Sequence, residues 1–268
     1  SYTWQRVMDQ SSFDQGPPLI GFAGPTTADN PNVQPLTRSS NERRHNFIGT
    51  ITWPVTPSWE LTAITGLQSG APFTPIVGGD INGDGARNDR AFLFNPDAAG
   101  VDPVIAAGMR TVLRKASPKA RACLERQLGT IAGRNSCEDP WFPTLNLQVN
   151  WKPDMLGLAR RLAISFVIQN PLAGLDQAIN GVDNLKGWGQ PQRSDNTLLY
   201  VRGFDQGTQR YVYEVNERFG NAAAFSRAFF QPFQIGINAR LSYGTNAISE
   251  RFGGFGGGGG PGGGGGGP

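Results

Sequence analysis

Residues 233–243, FQIGINARLSY, alternate apolar and polar side chains almost without exception. One face carries only apolar or aromatic side chains, namely Phe233, Ile235, Ile237, Ala239, Leu241 and Tyr243. The other face is polar or small. The run has the length of roughly 9–11 residues that a tilted strand needs to cross a bilayer, and exceeds the ~5–6 residues typical of soluble strands. The pattern predicts a membrane-spanning β-strand with its apolar face toward lipid.

The same alternation recurs along the chain. Residues 144–152, TLNLQVNWK, place four apolar side chains, Leu145, Leu147, Val149 and Trp151, opposite a wholly polar face, and residues 58–69 repeat the pattern less regularly. Weaker strand signals, rich in β-branched and aromatic residues, cover residues 1–8, 45–53, 161–169, 196–203 and 209–216. We therefore predict an all-β fold, with about eight antiparallel strands forming the wall, or part of the wall, of a transmembrane barrel.

The connections between these strands alternate in length. Short connections are predicted at 54–58, 152–160 and 204–208, and long ones at 9–44, 70–143, 170–195 and 217–232. Outer-membrane barrels have tight periplasmic turns and long extracellular loops. We expect the long loops outside a Gram-negative outer membrane and the C-terminus in the periplasm.

Aromatic side chains near the predicted strand ends fit this placement. They are Trp53, Trp59, Trp151, Tyr200 and Tyr243. Rings at strand ends form girdles at the lipid headgroups of such barrels. Ordinary core aromatics are the alternative reading.

Composition narrows the classes of function. The mean hydropathy is −0.34 and the net charge is +3, and no run of 18 apolar residues predicts a spanning helix. Cations are scattered rather than gathered into a stripe with aromatics, so nucleic-acid binding is not indicated. The only histidine, His45, stands at a strand start, and no nucleophile or phosphate-loop motif occurs. The sequence gives no support for an enzyme.

The two cysteines, Cys123 and Cys137, lie in one long connection. An even number of cysteines confined to one loop is typical of an oxidising compartment. We predict a disulfide, with two free thiols as the alternative.

The same connection contains the motif Asp80-Ile-Asn82-Gly-Asp84-Gly85, followed by Asn88 and Asp89. Oxygen ligands at positions 1, 3 and 5 with glycine at 6 copy the first half of a calcium loop. Position 12 is Ala91 instead of the bidentate glutamate, so only weak calcium binding is expected. The alternative is a polar loop held by Asx turns.

Two helices are predicted around 103–115 and 118–129, the second beginning at the N-cap and N1 pair Ser117 and Pro118. Six cations cluster here: Arg110, Arg114, Lys115, Lys119, Arg121 and Arg126. A solvated charged face is favoured over contact with lipopolysaccharide phosphates or an anionic ligand. Beyond residue 243 the chain becomes glycine-rich, so we divide it into a barrel portion, 1–243, and a disordered tail, 244–268.

Several blocks together resemble the barrel of Oar-like TonB-dependent receptors. They are Arg43-Arg44-His45-Asn46-Phe47, Leu67-Gln-Ser-Gly-Ala-Pro-Phe-Thr-Pro75, Gly79-Asp-Ile-Asn-Gly-Asp-Gly85 with Asn88-Asp-Arg90, Arg134-Asn-Ser-Cys137 before Trp141, and Asn170-Pro-Leu-Ala-Gly-Leu-Asp176. The resemblance implies a receptor whose barrel of about 22 strands holds a plug and takes up an unidentified ligand with TonB. The chain would be the last third of the wall, and TonB would act through a segment before Ser1.

The resemblance also implies partners: outer-membrane lipid, lipopolysaccharide and the barrel-assembly machinery, which Tyr243 would contact as the terminal aromatic. Three other functions stay open. They are a surface adhesin or structural barrel without transport, a complete eight-stranded barrel, and a soluble all-β protein.

Overall fold

The computed structural model describes residues 1–10, 26–28, 30, 32–153, 161–182, 185–221 and 232–242. In chain order the strands are β1 (Tyr2–Trp4), β2 (Met8–Asp9), β3 (Thr37–Arg38), β4 (His45–Thr56), β5 (Trp59–Gln68), β6 (Pro72–Phe73), β7 (Ile76–Val77), β8 (Cys137–Glu138), β9 (Phe142–Trp151), β10 (Leu162–Gln169), β11 (Thr197–Asp205), β12 (Arg210–Val215) and β13 (Gln234–Leu241). The helices are α1 (Pro103–Lys115), α2 (Pro118–Glu125) and α3 (Pro171–Asn180).

The main sheet has the order β1-β4-β5-β9-β10-β13, and every neighbouring pair is antiparallel. We call this six-stranded sheet the wall. Within the described residues it is open, with β1 and β13 at its edges. The predicted antiparallel architecture is confirmed.

In the part of the chain that the structure describes, the wall contains six strands rather than about eight. The predicted strands 196–203 and 209–216 form the hairpin β11–β12, which pairs with β7 in a separate three-stranded sheet. Strand β10 pairs directly with β13, from Leu162 opposite Leu241 to Gln169 opposite Gln234. The hairpin is outside the wall because Leu198, Leu199 and Val215 are buried in another hydrophobic core.

Long and short connections still alternate after this correction. Tight connections join β4 to β5 and β9 to β10, whereas long ones join β1 to β4, β5 to β9 and β10 to β13. The long connections all leave the wall at the same end of its strands, because consecutive antiparallel strands alternate in direction. One end of the wall therefore carries nearly all of the loop structure.

The connections 69–141 and 170–233 supply a second body, which we call the cap. Its core contains side chains from α1, α2, β6, β7, β8, β11 and β12. Asp102 caps α1 by accepting from the backbone N–H groups of Val104 and Ile105, and Ser117 caps α2 by accepting from that of Ala120. The two predicted helices are confirmed, with α2 ending at Glu125.

Candidate functional site: a wall with two chemically different faces beneath a cap

The register of the wall aligns its apolar side chains into rows. Trp53, Leu61, Val149, Phe166 and Ile237 lie side by side across five strands. The next row on the same face contains Ile51, Ala63, Leu147, Ile168 and Ile235. The alternation seen in single strands is thus continued across the sheet, and it gives the wall one apolar face.

The side chains predicted to face lipid fall on this apolar face. Ile237, Ile235 and Leu241 are strongly exposed on it. Phe233 lies just before β13 and is also exposed, whereas Leu145, Leu147, Val149 and Trp151 are half-buried among neighbouring strands. Tyr243 lies outside the described residues.

The opposite face of the wall is polar and hydrogen-bonded. Asn150 is buried near the turn-side end of this face and donates from Nδ2 to Glu60 Oε1 over 3.0 Å. Its Oδ1 accepts from Gln148 Nε2 at 2.7 Å and from Ser165 Oγ at 2.8 Å. Four side chains from three strands therefore satisfy one another, which suits a face turned toward an aqueous lumen and not toward hydrocarbon.

Aromatic rings mark both ends of the apolar face. At the end with the tight turns, Trp59 stacks on Trp151 with centroids 5.4 Å apart. At the cap end, Tyr2 stacks on Phe47 at 4.6 Å and His45 stacks on Trp141 at 5.5 Å.

The distance between the two aromatic ends matches the thickness of the hydrocarbon layer of a membrane. Ten residues separate Trp141 from Trp151, which at ~3.3 Å per residue and a tilt of about 40° corresponds to a height of about 25 Å. That is the height of the apolar band of outer-membrane barrels.

Of the other predicted girdle residues, Trp53 is exposed on the apolar face. Tyr200 lies in β11 of the cap, where the Arg202 guanidinium is 5.4 Å from the ring centroid of Tyr200. The prediction for Tyr200 is therefore wrong.

The cap has a core of its own. Phe73, Leu93, Met109, Leu124 and Leu198 are at most 1% exposed. Cys123 in α2 and Cys137 in β8 are joined by a disulfide within this core. The bond connects a helix to the strand from which the chain returns to the wall, and it closes a loop of 14 residues within the longest connection.

Cationic side chains of α1 and α2 form ion pairs and hydrogen bonds with other residues of the cap. Arg110 pairs with Asp97 at 2.9 Å, Lys115 with Glu217 at 2.6 Å, and Lys119 with Glu138 at 3.7 Å. Arg121 donates to the backbone carbonyl of Arg114. These contacts fit the solvated charged face expected from the sequence.

The loop from Asp80 to Asp89 is organised by its own side chains. Asp80 accepts from the backbone N–H groups of Gly83 and Gly85, at 2.7 and 2.9 Å, and Asp84 accepts from that of Ala86. Gly83 and Gly85 have φ of 77° and 85°, which glycine adopts without strain. Asp89 is buried, and burial raises the pKa of its carboxyl although the N–H of Ile81 and the hydroxyl of Thr27 oppose the shift.

Calcium binding by this loop stays a prediction. Among the described residues, no group of three or more His, Cys, Asp or Glu side chains is placed to hold a metal ion. An affinity no tighter than roughly 10⁻⁴–10⁻³ M is expected, because position 12 lacks the bidentate glutamate. Calorimetry with millimolar calcium on the wild type and on Asp80→Ala/Asp84→Ala decides it. Identical traces without heat would leave only a turn held by Asx hydrogen bonds.

The three long connections meet at Asp139. Its Oδ1 accepts from the backbone N–H of Ser194 at 2.8 Å, and its own N–H donates to Ala71 O. A Cβ at Gly70 would lie 1.8 Å from Asp139 O, so only glycine fits there. Burial raises the pKa of the Asp139 carboxyl to about 6, against the lowering effects of hydrogen bonds from Ser194 and of the charges of Arg43 and Arg193.

This raised pKa predicts a pH-dependent cap. The native state holds the Asp139 proton between about pH 4 and pH 6, where the unfolded chain has released it, so stability falls as pH rises through that window. Each pH unit costs up to about 1.4 kcal/mol. Asp139→Asn should flatten this part of the curve, measured as the difference in thermal unfolding between variant and wild type. A difference that does not change from pH 4 to pH 6.5 would contradict the prediction.

An open groove lies on the cap between α1 and the β11–β12 hairpin, with a volume of about 730 Å³. Its lining includes the apolar side chains of Val104, Ala107 and Val215. Arg202 and Glu214, which form an ion pair, also line it, as does Glu217, which pairs with Lys115. No motif in the sequence predicted this groove, because its two sides are about 100 residues apart.

No helix in the described parts of the chain is long and apolar enough to cross a membrane. An antiparallel sheet with one apolar face, one polar face and aromatic ends defines the class of membrane-spanning barrel walls. Consistent with this class, the family model for an outer membrane beta barrel domain matches residues 1–155, and the chain belongs to that family. Comparison with curated proteins and with solved structures finds no match.

Proposed function

We propose that this outer-membrane protein is a TonB-dependent receptor of the Oar-like kind, in which the wall bounds a lumen and the cap contacts the ligand before uptake. The observation that supports it most is the cap itself. Two connections fold into an ordered body with a hydrophobic core, a disulfide and an open groove. A barrel that served only as a membrane anchor would not need such a body.

The inner face of the wall supports passage of a polar ligand. The hydrogen-bonded group of Glu60, Gln148, Asn150 and Ser165 places a carboxylate and three polar side chains on the face away from the apolar side chains. Gly236 lies on the same face, and a Cβ placed there would meet nothing within 4 Å. Small and polar side chains on this face fill a lumen poorly, which favours a wide barrel over one packed shut.

In this proposal the cap is extracellular, the tight turns and the C-terminus are periplasmic, and the chain binds and passes a ligand without catalysing a reaction. Its partners are outer-membrane lipid and lipopolysaccharide, the barrel-assembly machinery, TonB through a segment N-terminal to Ser1, and a ligand whose chemistry the groove and lumen select.

The test is binding of the native protein, purified from outer membranes, to the periplasmic domain of TonB. We expect a complex that a synthetic TonB-box peptide displaces. A native protein that forms no complex, and that mass spectrometry shows to carry no plug, would overturn the transport function.

A surface adhesin is the second candidate, and one observation favours it. Five rings of the cap, Phe92, Phe94, Tyr213, Tyr211 and Phe204, follow one another with centroids 5.0–6.2 Å apart. Phe92, Phe204 and Tyr211 are exposed. If attachment is the function, Phe204→Ser/Tyr211→Ser should abolish cell adhesion, and the wild-type protein should not bind TonB.

A further inference from the structure

Helix α3 exposes an apolar stripe. Leu175 and Ile179 are 52% and 67% exposed, and Val182, just after the helix, is 59% exposed. At 100° per residue, positions 175 and 179 lie within about 40° of each other on the helix surface. Large apolar side chains in one exposed row normally mark a contact with another apolar phase.

The exposed face of α3 carries no charge. Asp176 is the only ionisable residue of the helix, and it is 2% exposed. Its carboxylate accepts from the backbone N–H groups of Lys186, Gly187 and Trp188 and from the Asn180 side chain. These bonds hold the pKa of Asp176 below its usual range in spite of burial. The helix thus turns its one charge inward and its leucine and isoleucine outward.

Helix α3 packs against the apolar, lipid-facing side of the wall. A Cβ added at Gly174 would lie 2.9–3.3 Å from the ring carbons of Phe233, so the ring lies directly on the helix backbone. Phe233 precedes Ile235 and Ile237 in the alternation that defines the apolar face. Around the helix, Gly174 lies about 100° from Leu175 and about 140° from Ile179. Phe233 therefore packs against the flank of α3, on the apolar side of the wall, and the stripe faces away from the wall.

The level at which α3 leaves the wall also lies within the apolar band. Ile164 of β10 pairs with Trp151 of the turn-side aromatic pair. Asn170 follows six residues later, about 15 Å higher at ~3.3 Å per residue and a tilt of about 40°. The ring of Trp141 marks the other boundary at about 25 Å, so the helix begins roughly 10 Å below that boundary.

Backbone at this depth has to be satisfied internally. Asn170 begins the helix in a left-handed conformation, φ 47°, and its side chain accepts from the Ala173 N–H at 3.2 Å. Asp176 accepts from three consecutive N–H groups of the following loop, as described above. A short helix whose polar backbone groups are satisfied in this way suits the boundary of a bilayer.

We propose that α3 is an interfacial helix, and that Leu175, Ile179 and Phe233 contact the acyl chains about 5–10 Å below the headgroups of the membrane leaflet on the cap side. The partner is the lipid itself. The helix anchors the start of the cap connection 170–233, which leaves β10, at a fixed depth. This placement does not depend on whether the protein transports a ligand.

The experiment is site-directed spin labelling of the full chain in native outer membranes. The only two cysteines are joined to each other, so a nitroxide will attach only to an introduced thiol. The two variants are Ile179→Cys and the matched control Gln177→Cys. Gln177 is also exposed but lies about 160° away around the helix. A label in lipid is relaxed more by oxygen, and a label in water more by a soluble nickel complex.

We expect the oxygen-to-nickel accessibility ratio at position 179 to exceed that at position 177 and to match that at a wall position such as Ile235→Cys. Equal ratios at 177 and 179, both well below the ratio at 235, would show that α3 lies in water and would overturn the proposal. A label at 179 that neither reagent reaches would show that protein covers the stripe, which also overturns it. Retention of the Cys123–Cys137 disulfide on a non-reducing gel checks that each variant is folded.

Discussion

Replacement of Ile237 by Arg is expected to impair membrane insertion far more than the same replacement at Asn238. Ile237 lies in the row of Trp53, Leu61, Val149 and Phe166 on the apolar face, and it is 65% exposed. Asn238 pairs with Ser165 on the polar face. Ile237 is level with Phe166, two residues from the Ile164–Trp151 pair and thus about 5 Å inside the turn-side boundary. A guanidinium on the lipid face costs about 2–4 kcal/mol at the midplane and less toward the boundaries, whereas one facing a lumen costs little.

The comparison is informative because both changes add the same side chain at adjacent positions of one strand. The added side chain and the change in net charge are therefore matched, and the direction of the side chain is the main difference. Loss of the isoleucine also lowers strand propensity, by less than the expected effect of the lipid face. The measurement is the equilibrium of folding into lipid vesicles, followed by the gel mobility of the unheated protein. Equal losses for the two variants would remove the assignment of faces.

The wall was predictable from the sequence because its information is local. Every second side chain in 233–241 and 144–152 lies on the same face of the wall. The alternation of apolar and polar residues within one strand therefore indicates which face is toward lipid. The alternation within single strands does not predict the order of the strands in the sheet. The pairing of β10 with β13 across an interval of more than 60 residues became visible only in the sheet.

The hairpin β11–β12 was misplaced for a related reason. Strands in a small soluble-like core and strands in a membrane wall share the same β-branched and aromatic residues. A signal was present, however. Leu198 and Leu199 are consecutive and both buried, which a strand with one lipid face and one lumen face does not allow, and the register shifts between Val201 and Gly203.

Helix α3 and the junction at Asp139 were also not predicted. Asn170 followed by Pro171 is an N-cap and N1 pair, but it stands within a connection whose other residues give little helical period. Asp139 stands between Glu138 and Pro140, and no recognisable motif surrounds it. Its importance comes from Ser194, Gly70 and Arg43, which lie far apart in the chain and meet only in the folded protein.

The disulfide is expected to hold the cap together without affecting insertion of the wall. Cys123 and Cys137 are each 1% exposed and lie 14 residues apart. Closing a loop of that size removes unfolded-state entropy worth about 3 kcal/mol in the chain-entropy model. The variant Cys123→Ala/Cys137→Ala should therefore lose about this much cap stability, seen as earlier thermal unfolding and faster proteolysis within 69–141, while the gel mobility of the inserted wall is unchanged.

Reduction of the wild type should reproduce the loss, and the same reductant should do nothing to the double alanine variant, which separates the disulfide from the packing of two sulfur atoms. In native protein that has been denatured but not reduced, a thiol reagent should modify neither cysteine. Modification of both would show that the thiols are free. If the double variant instead failed to insert, the cap and the wall would fold as one unit, and the cap would no longer be a body with stability of its own.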